Sequence, residues 1–251
     1  SIASDNATVT LAKTGDTVTL TIATNENVSS PTVTFTSGGA AATNADTVSG
    51  ASPGTSFTSA YTVDASDTDG TVAISITATD VAGNTTSGFT TISAGSVTVD
   101  QTAPASQKTQ GVVTTGGDNQ VAGYWNSGNT GVDITVPIAD DSSINGGTVQ
   151  LLVSTDGGGS FVPLDTPSTI SAVNTNKTIS VAGGVLEGVA GFGESDVLQF
   201  KATITDTSGN ATTGTVSDTT LTVDQTAATI STSSIASDNA TVTLAKTGDT
   251  V

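Results

Sequence analysis

Hydrophobic and polar residues alternate along most of the chain, with the period of two that half-buried β-strands require. Val18, Leu20 and Ile22 alternate with threonines in the first part of the chain, and Ile134 and Val136 continue the same pattern further on. Threonine is β-branched, so it favours strands without adding charge to the outward face. Glycine- and asparagine-rich turn signals separate the runs, and no stretch has a helical period. The pattern predicts an all-β protein without helices.

Pro137 interrupts one of these runs. Proline has no N–H to donate to a neighbouring strand, so it is tolerated only at a sheet edge or at a bulge. We therefore expect its strand to be bulged or to lie at an edge at that point.

The chain repeats itself. The segment Ser1 to Val18 recurs unchanged as Ser234 to Val251, and a weaker repeat relates 98–104 to 222–228. The weaker repeat falls after strand-like runs and resembles a joint. It divides the chain into domain A at 1–100, domain B at 101–224 and the start of a further copy of A at 225–251. Both sizes suit a single sandwich domain, so we expect an array in which A and B alternate. The first strand of A would then come from residues that precede Ser1 and are equivalent to 225–233.

The amino-acid composition excludes several classes of function. The chain has five Lys and Arg residues against 23 Asp and Glu, no histidine and no cysteine. Histidine- and cysteine-based catalysis, disulfides and the usual zinc sites are excluded by that inventory. The negative charge would repel nucleic acid, and no apolar run approaches the roughly 20 residues that cross a bilayer. We expect an acidic, extracellular protein that is not an enzyme and has no nucleic-acid or membrane partner in this segment.

Two loops and two joints resemble a known family. The stretch 76–84 contains the motif Thr-Asp-Val-Ala-Gly-Asn and is followed at 97–104 by Val-Thr-Val-Asp-Gln-Thr-Ala-Pro; domain B repeats both at 204–210 and 221–227. These residues resemble the tandem bacterial immunoglobulin-like domains of large type I-secreted RTX-type adhesins and other giant surface proteins. The resemblance implies immunoglobulin-like β-sandwiches in an elongated array at the cell surface. Domain B departs from the family pattern in its long segment between Asp156 and Glu194.

The carboxylates recur at matching points of the two domains. An acidic pair precedes the strand that leads to each TDxxGN loop, and a joint aspartate closes each domain. With an immunoglobulin-like topology, the acids before that strand lie at the lower end of A, beside Asp100. The upper loops of B would bring further acids to the same joint.

Unneutralised carboxylates about 4 Å apart repel by roughly 1 kcal/mol in water and by about 4 kcal/mol at a surface-like dielectric. Calcium takes six to eight oxygen ligands with flexible geometry, so it suits such a cluster better than magnesium. We therefore predict calcium as the cofactor, clamping each joint and stiffening the array. The candidate ligands are Glu26, Asp67, Asp69, Asp80, Asp100, Asp140, Asp141, Glu194, Asp196, Asp206 and Asp224.

Four other interpretations stay open. The acids could simply be solvated turn residues. A lectin-like module could use Trp125 and the acidic loops to bind carbohydrate. The threonine-rich faces could pack laterally or end to end in a sheath, surface layer or filament. The adjacent acids Asp140 and Asp141 could serve glycoside hydrolysis, but they lack neighbouring aromatic residues. The favoured prediction is a structural stalk or fibre segment whose main partners are neighbouring repeats of the same chain.

Overall fold

The computed structural model describes residues 1–43, 45–117 and 119–250, and the side chains of 45–47 are outside the description. Val251, the last residue of the predicted further copy of A, also lies outside the described residues. The regular structure is almost entirely β, which confirms the predicted fold class.

Among the described residues, the first sandwich contains ten strands. They are β1 Ile2–Ser4, β2 Leu11–Ala12, β3 Thr17–Val28, β4 Thr32–Ser37, β5 Ala40–Ala41, β6 Ala45–Ser49, β7 Gly54–Thr62, β8 Gly70–Thr79, β9 Thr85–Phe89 and β10 Thr98–Val99. One sheet has the order β1-β3-β7-β6. The other has the order β2-β10-β8-β4-β5, with β9 also paired to β8. The parallel pairing of β2 with β10 places the early part of the chain beside its exit from the sandwich.

The second sandwich repeats this plan, with nine strands in the part of it that the structure describes. They are β11 Gln110–Thr115, β12 Tyr124–Trp125, β13 Gly131–Ile138, β14 Thr148–Ser154, β15 Val162–Thr169, β16 Thr175–Ala182, β17 Val197–Thr205, β18 Ala211–Thr213 and β19 Leu221–Val223. One sheet has the order β11-β13-β16 and the other β12-β19-β17-β14-β15, with β18 also paired to β17. Here β12 and β19 form the parallel pair.

Each sandwich has its own core of aliphatic and aromatic side chains. The first is centred on Phe35, Phe57 and Tyr61, and the second on Trp125 and Phe200. The buried positions alternate along the central strands, as the period-two pattern predicts. In β13, buried residues alternate with half-buried ones from Val132 to Ile138. Burial of these alternating residues is what holds the two sheets of each sandwich together.

The prediction that the chain has no helix is wrong at two short elements. A 3-10 turn spans Ser142–Ile144, with the Asp141 side chain accepting from the Ser143 N–H, and a helix, α1, spans Gly183–Glu187. Five residues are too few for a periodic signal in the sequence. Leu186 of α1 is fully buried in the second core, so tertiary packing determines this helix.

Pro137 sits at an edge, as expected. It pairs with Asn176 of β16, while β11 pairs with β13 only from Gly131 to Thr135. The side of β13 that faces β11 is therefore without a neighbouring strand at Pro137, and the missing N–H interrupts no ladder.

The repeated segment keeps its local turns outside a sandwich. In the first copy, Asp16 Oδ2 accepts from Asn6 Nδ2 at 2.7 Å and from Lys13 N at 2.8 Å. In the second copy, Asp249 Oδ2 accepts from Asn239 Nδ2 at 2.8 Å and from Lys246 N at 2.8 Å. These turns are therefore encoded by the segment itself.

Candidate functional site at the junction of the sandwiches

The chain leaves the first sandwich at Asp100, Gln101 and Thr102, and an acidic loop holds it there. Asp69 Oδ1 accepts from Gln101 N at 2.9 Å, and Asp69 Oδ2 accepts from Thr102 Oγ1 at 2.6 Å. Gln101 Nε2 donates to the Asp67 carbonyl at 2.8 Å. Thr14 Oγ1 also donates to Gln101 Oε1. The exit is thereby fixed from several sides.

The second sandwich presents its TDxxGN loop, 206–210, to this exit. The loop is ordered by Asp206, which is 4% exposed. Asp206 Oδ1 accepts from the backbone N–H groups of Ser208 and Asn210, and Asp206 Oδ2 accepts from Asn210 Nδ2 at 2.9 Å. This is the self-capping turn that an aspartate followed by glycine and asparagine favours.

Two polar side chains of that loop, Ser208 and Asn210, reach across to the first sandwich. Ser208 Oγ donates to Asp100 Oδ2 at 3.0 Å, and Asn210 Nδ2 donates to the Asp100 carbonyl at 2.9 Å. Ser208 is only 1% exposed, so its contact is shielded from water. Asn210 Nδ2 thus links the ordering carboxylate of its own loop to the backbone of the preceding domain.

The repeated segment completes the junction from the other side. Asn6 Nδ2 donates to the Ser208 carbonyl at 3.0 Å, and Lys13 Nζ donates to the Gly209 carbonyl at 2.8 Å. Asp16 orients Asn6 and the backbone of Lys13 through the turn described above. Loop 206–210 is therefore held by two separate parts of the first sandwich.

Asp100 is the electrostatically strained member of the junction. Burial raises its pKa above the ordinary aspartate value, and the nearby carboxylates Asp206 and Asp69 add to the rise. The bonds from Ser208 Oγ and Thr102 N act in the opposite direction without cancelling it. The charged form of Asp100 is therefore incompletely compensated by the protein alone.

Three predicted ligands line one crevice at the junction. Asp69, Asp100 and Asp141 face it, together with Ser143, Thr207 and Ser208. Much of their hydrogen-bonding capacity is used, because Asp69 binds the exit residues and Asp141 Oδ1 accepts from Ser143 N and Oγ. Among the described residues, no group of three or more carboxylates is arranged so that it could hold a metal ion.

The remaining predicted ligands do not line this crevice, and one of them, Asp206, instead orders loop 206–210. Asp67 is buried and accepts from Thr43 N and Asp64 N within the first sandwich. Asp140 is exposed beside Asp141. Glu26 and Asp80 line a different groove of the first sandwich. Asp80 orders its own TDxxGN loop, and the bonds from Asn84 lower its pKa.

The last three, Glu194, Asp196 and Asp224, lie where the chain leaves the second sandwich. Glu194 Oε2 accepts from Gln225 N at 2.8 Å, as Asp69 does from Gln101 N. Asp224 is exposed. Asp196 Oδ2 is buried without a hydrogen-bond partner among the described residues.

The only tryptophan belongs to this second exit. Trp125 is fully buried, so it is closed to a stacking ligand. Its Nε1 donates to Glu187 Oε1 at 3.0 Å, and the same oxygen accepts from Gln225 Nε2 at 2.7 Å. Trp125 therefore closes the core and helps to fix the outgoing chain.

Sequence reasoning missed the side chains that hydrogen-bond across the junction and at the second exit. Asn6, Lys13, Ser208 and Asn210 make the direct contacts between the sandwiches, and Glu187 anchors the second exit. The motif TDxxGN pointed to the loop but not to the donors within it. Lys13 gave one signal, since it is one of five cationic residues and stands in the segment that recurs.

Comparison with known proteins found solved structures similar to this chain. No family model matches it, and no curated protein matches it. One similar structure is the Bacteroides ovatus mixed-linkage glucan utilization locus protein SGBP-B in complex with a mixed-linkage heptasaccharide, at 18% identity over 86% of this chain, with a TM-score of 0.21. Another is the I67–I69 I-band fragment of titin, at 11% identity over 89% of this chain, with a TM-score of 0.35. The chain spans 43% of the first and 66% of the second.

The strand order and the two separate cores define the class of protein. The chain contains tandem immunoglobulin-like β-sandwiches joined by a short, hydrogen-bonded connection. In the part of the chain that the structure describes, no helix is long and apolar enough to span a membrane.

Proposed function

We propose that the chain is a structural segment, a spacer or stalk, of an extracellular bacterial adhesin or filament, and that it is not an enzyme. The observation that carries the proposal is the junction, where Asn6, Lys13, Ser208 and Asn210 bridge the two sandwiches directly. Domains in one chain move relative to each other unless their interface prevents it. Contacts from two parts of the first sandwich oppose that motion and favour a fixed angle.

The acidic composition and the internal repeat support the same role. A formal net charge of -18 keeps such a chain soluble and separate from other acidic surfaces. The recurrence of the first 18 residues after the second sandwich favours a repeating array. The family resemblance adds the surface-adhesin setting, which belongs to this proposal alone.

Calcium is the second part of the proposal. Asp69, Asp100 and Asp141 would be the protein's ligands, since they line one crevice and Asp100 carries an incompletely compensated charge. As their side chains lie, they do not form a metal-binding group. Calcium would therefore have to compete with the bonds that Asp69 and Asp141 make to Gln101, Thr102 and Ser143. We therefore expect weak binding, with a dissociation constant of about 10⁻⁴ to 10⁻³ M, as is typical of extracellular calcium-binding modules.

The lectin-like alternative loses its aromatic platform, because Trp125 is buried and holds Glu187. No other observation of the structure favours carbohydrate over a structural role.

Small-angle X-ray scattering of the whole chain, in chelator and in millimolar calcium, tests both parts. We expect a single fixed arrangement of the sandwiches in chelator, and we expect calcium titration of the same chain to give a weak isotherm that Asp100→Asn removes. Asp165→Asn is the matched control, because Asp165 is an exposed aspartate of the second sandwich outside the crevice. Independently tumbling sandwiches in both buffers would overturn the structural proposal. A fixed arrangement without calcium binding would remove calcium and leave the direct contacts as the stiffening element.

A further inference from the structure

The second sandwich contains one long strand that is paired on one side only. In the sheet β11-β13-β16, strand β16 is an outer strand, and it pairs with β13 over its whole length, from Thr175 to Ala182. Among the described residues, no strand and no backbone hydrogen bond reaches the other side of β16. This strand lies in the middle of the second sandwich, far along the chain from Ser1 and from Val251.

The first sandwich covers the corresponding side with a strand of its own. Strand β7 takes the place of β16 there, and the order β1-β3-β7-β6 continues past it. Strand β6 pairs antiparallel with β7, with Val48 opposite Ser59 and Ser49 opposite Thr58. The second sandwich has no counterpart of β6 in the residues that the structure describes. The same sheet edge is therefore covered in one sandwich and open in the other.

The edge of the other sheet of the second sandwich, β15, is protected against pairing. It contains Pro163 and Pro167, which have no N–H, and Asp165 has a φ of 60° beside an irregular register with β14. Prolines, bulges and charges are the features that keep sheet edges from joining. Strand β16 contains no proline, no carboxylate and no residue with positive φ. Its open edge is therefore able to accept another strand.

The backbone groups of every second residue of β16 point to the open side. Gly183 N donates to the Thr130 carbonyl at 2.7 Å, so residue 183 faces β13. Because the register from 175 to 182 is regular, the odd-numbered residues of β16 face β13 in the same way. The N–H and C=O groups of Asn176, Thr178 and Ser180 therefore point away from β13. The side chains of these three residues are exposed on the outer face of the sheet.

The charge distribution favours a second copy of the chain as the partner. The formal net charge is -18, but residues 166–186 contain no Asp or Glu and form the longest such stretch of the sequence. Asp133 is the carboxylate of this three-stranded sheet, and it lies one strand further in, opposite Ser180. With two β16 strands side by side, the two Asp133 residues would be about three strand spacings, or roughly 14 Å, apart. That separation exceeds the screening length of about 8 Å at physiological salt, so this edge can approach its own copy without strong repulsion.

Symmetry and charge select one register. Two copies related by a two-fold axis present the same surface to each other. With Ile179 at the axis, Thr178 lies opposite Ser180 of the second copy, and the two Lys177 residues are about 14 Å apart along the strands. The two Ile179 side chains then meet on the inner face, where each is half-buried against its own core. With Thr178 at the axis, the two lysines would be only about 7 Å apart along the strands and would repel each other.

We propose that two copies of this chain associate side by side, with β16 of one pairing antiparallel with β16 of the other, so that their two sheets become one continuous sheet. Strand addition of this kind gains affinity from backbone hydrogen bonds. Each copy supplies what the other lacks, namely an unpaired strand without proline or carboxylate. The inference depends neither on calcium nor on the stalk role, and in an extended segment it would hold neighbouring chains together laterally.

Sedimentation velocity of the full chain over a wide range of concentrations, in chelator, tests the association. We expect a reversible equilibrium between monomer and dimer that Ser180→Pro weakens about ten- to a hundredfold, because one backbone donor is lost from each chain. The N–H of Ser180 points to the open side, so proline there interrupts no bond to β13 and is tolerated in an edge strand. Ser180→Thr is the matched control, since it keeps the N–H at the same position, and we expect it to associate like the wild-type chain. Calorimetry of both variants checks that the second sandwich is folded.

Cysteine crosslinking tests the register, since the chain has no cysteine of its own. Differently tagged Thr178→Cys and Ser180→Cys chains are expected to form a mixed disulfide, because residues opposite each other in a hydrogen-bonded pair have Cα atoms about 5.5 Å apart. Either variant alone is expected to crosslink poorly, because its two cysteines would be two residues out of register.

Val113→Cys replaces Ser180→Cys in the control, because Val113 is 59% exposed on the same outer face but lies in β11. The proposal is overturned if the wild-type chain stays monomeric throughout, or if folded Ser180→Pro associates as well as Ser180→Thr. It is also overturned if Val113→Cys crosslinks to Thr178→Cys as well as Ser180→Cys does.

Discussion

Replacing Asn210 with alanine is the sharpest test of how the junction works. Asn210 Nδ2 donates to the Asp100 carbonyl and to Asp206 Oδ2, both at 2.9 Å. A neutral hydrogen bond contributes about 1 kcal/mol and one to a charged group about 1.5 to 3 kcal/mol. Asp206 is buried, so its oxygen cannot readily take water as a substitute donor. We therefore expect Asn210→Ala to lower the free energy of unfolding of the second sandwich by about 2 to 4 kcal/mol.

Differential scanning calorimetry of the full chain measures this loss, because two separate cores should give two resolvable transitions. At roughly 4 °C per kcal/mol for a domain of this size, the second transition should fall by about 10 °C. The matched control is Asn84→Ala, which removes the same residue from the same motif in the first sandwich. Asn84 Nδ2 donates to Asp80 Oδ2 at 2.8 Å within its own loop, and Asp80 is half-buried where Asp206 is buried, so we expect a smaller loss.

Scattering of Asn210→Ala at a temperature where both sandwiches are folded completes the test. We expect a broader distribution of distances between the sandwiches than in wild type or in Asn84→Ala. Equal losses in the two variants, with unchanged scattering, would show that the Asp100 carbonyl contact contributes nothing to the junction.

Three further predictions concern single residues. Trp125→Phe removes the indole N–H that donates to Glu187, and we expect the free energy of unfolding of the second sandwich to fall by about 1 to 3 kcal/mol in calorimetry. An unchanged second transition would contradict the role of Trp125 in fixing the exit. Gly214→Ala would place a Cβ 1.8 Å from the Gln107 carbonyl, so we expect it to displace that segment and destabilise the second sandwich in chemical unfolding, whereas Gly184→Ala, whose Cβ meets nothing within 4 Å, should not. Because the pKa of Asp100 is raised in the folded protein, the penalty of its charge is greatest above that pKa and disappears as the pH falls toward the ordinary aspartate range. In calcium-free buffer we expect Asp100→Asn to be more stable than wild type near neutral pH, with an advantage that shrinks on acidification; an advantage independent of pH would refute this cause.

Much of the fold follows from short-range features of the sequence. The alternation of Val18, Leu20 and Ile22 with threonine specifies which face of β3 is buried, and the structure buries those three residues. The TDxxGN loops form because aspartate accepts bonds from residues two and four positions later. Such interactions need no knowledge of the rest of the chain.

Which acidic residues belong to the site depends on contacts between distant residues, and the sequence alone does not show which of these contacts form. The acids at 67 and 69 look alike, yet Asp67 accepts bonds inside the first sandwich and Asp69 clamps the exit. In the matching acidic pair of the second sandwich, Glu194 and not Asp196 accepts the bond from the outgoing backbone. Which acid of each pair reaches the outgoing backbone is decided by the pairing of β8 with β10 and of β17 with β19.

The two copies of the repeated segment separate the two contributions. Asp16 and Asp249 make the same turn, so the local sequence determines that geometry without a sandwich around it. Ile2 is 3% exposed because β3 lies beside it and a core lies beneath it, whereas the identical Ile235 is 82% exposed. Hydrogen bonds between near neighbours form wherever the sequence occurs, but burial requires partners from distant parts of the chain, and only the tertiary structure supplies them.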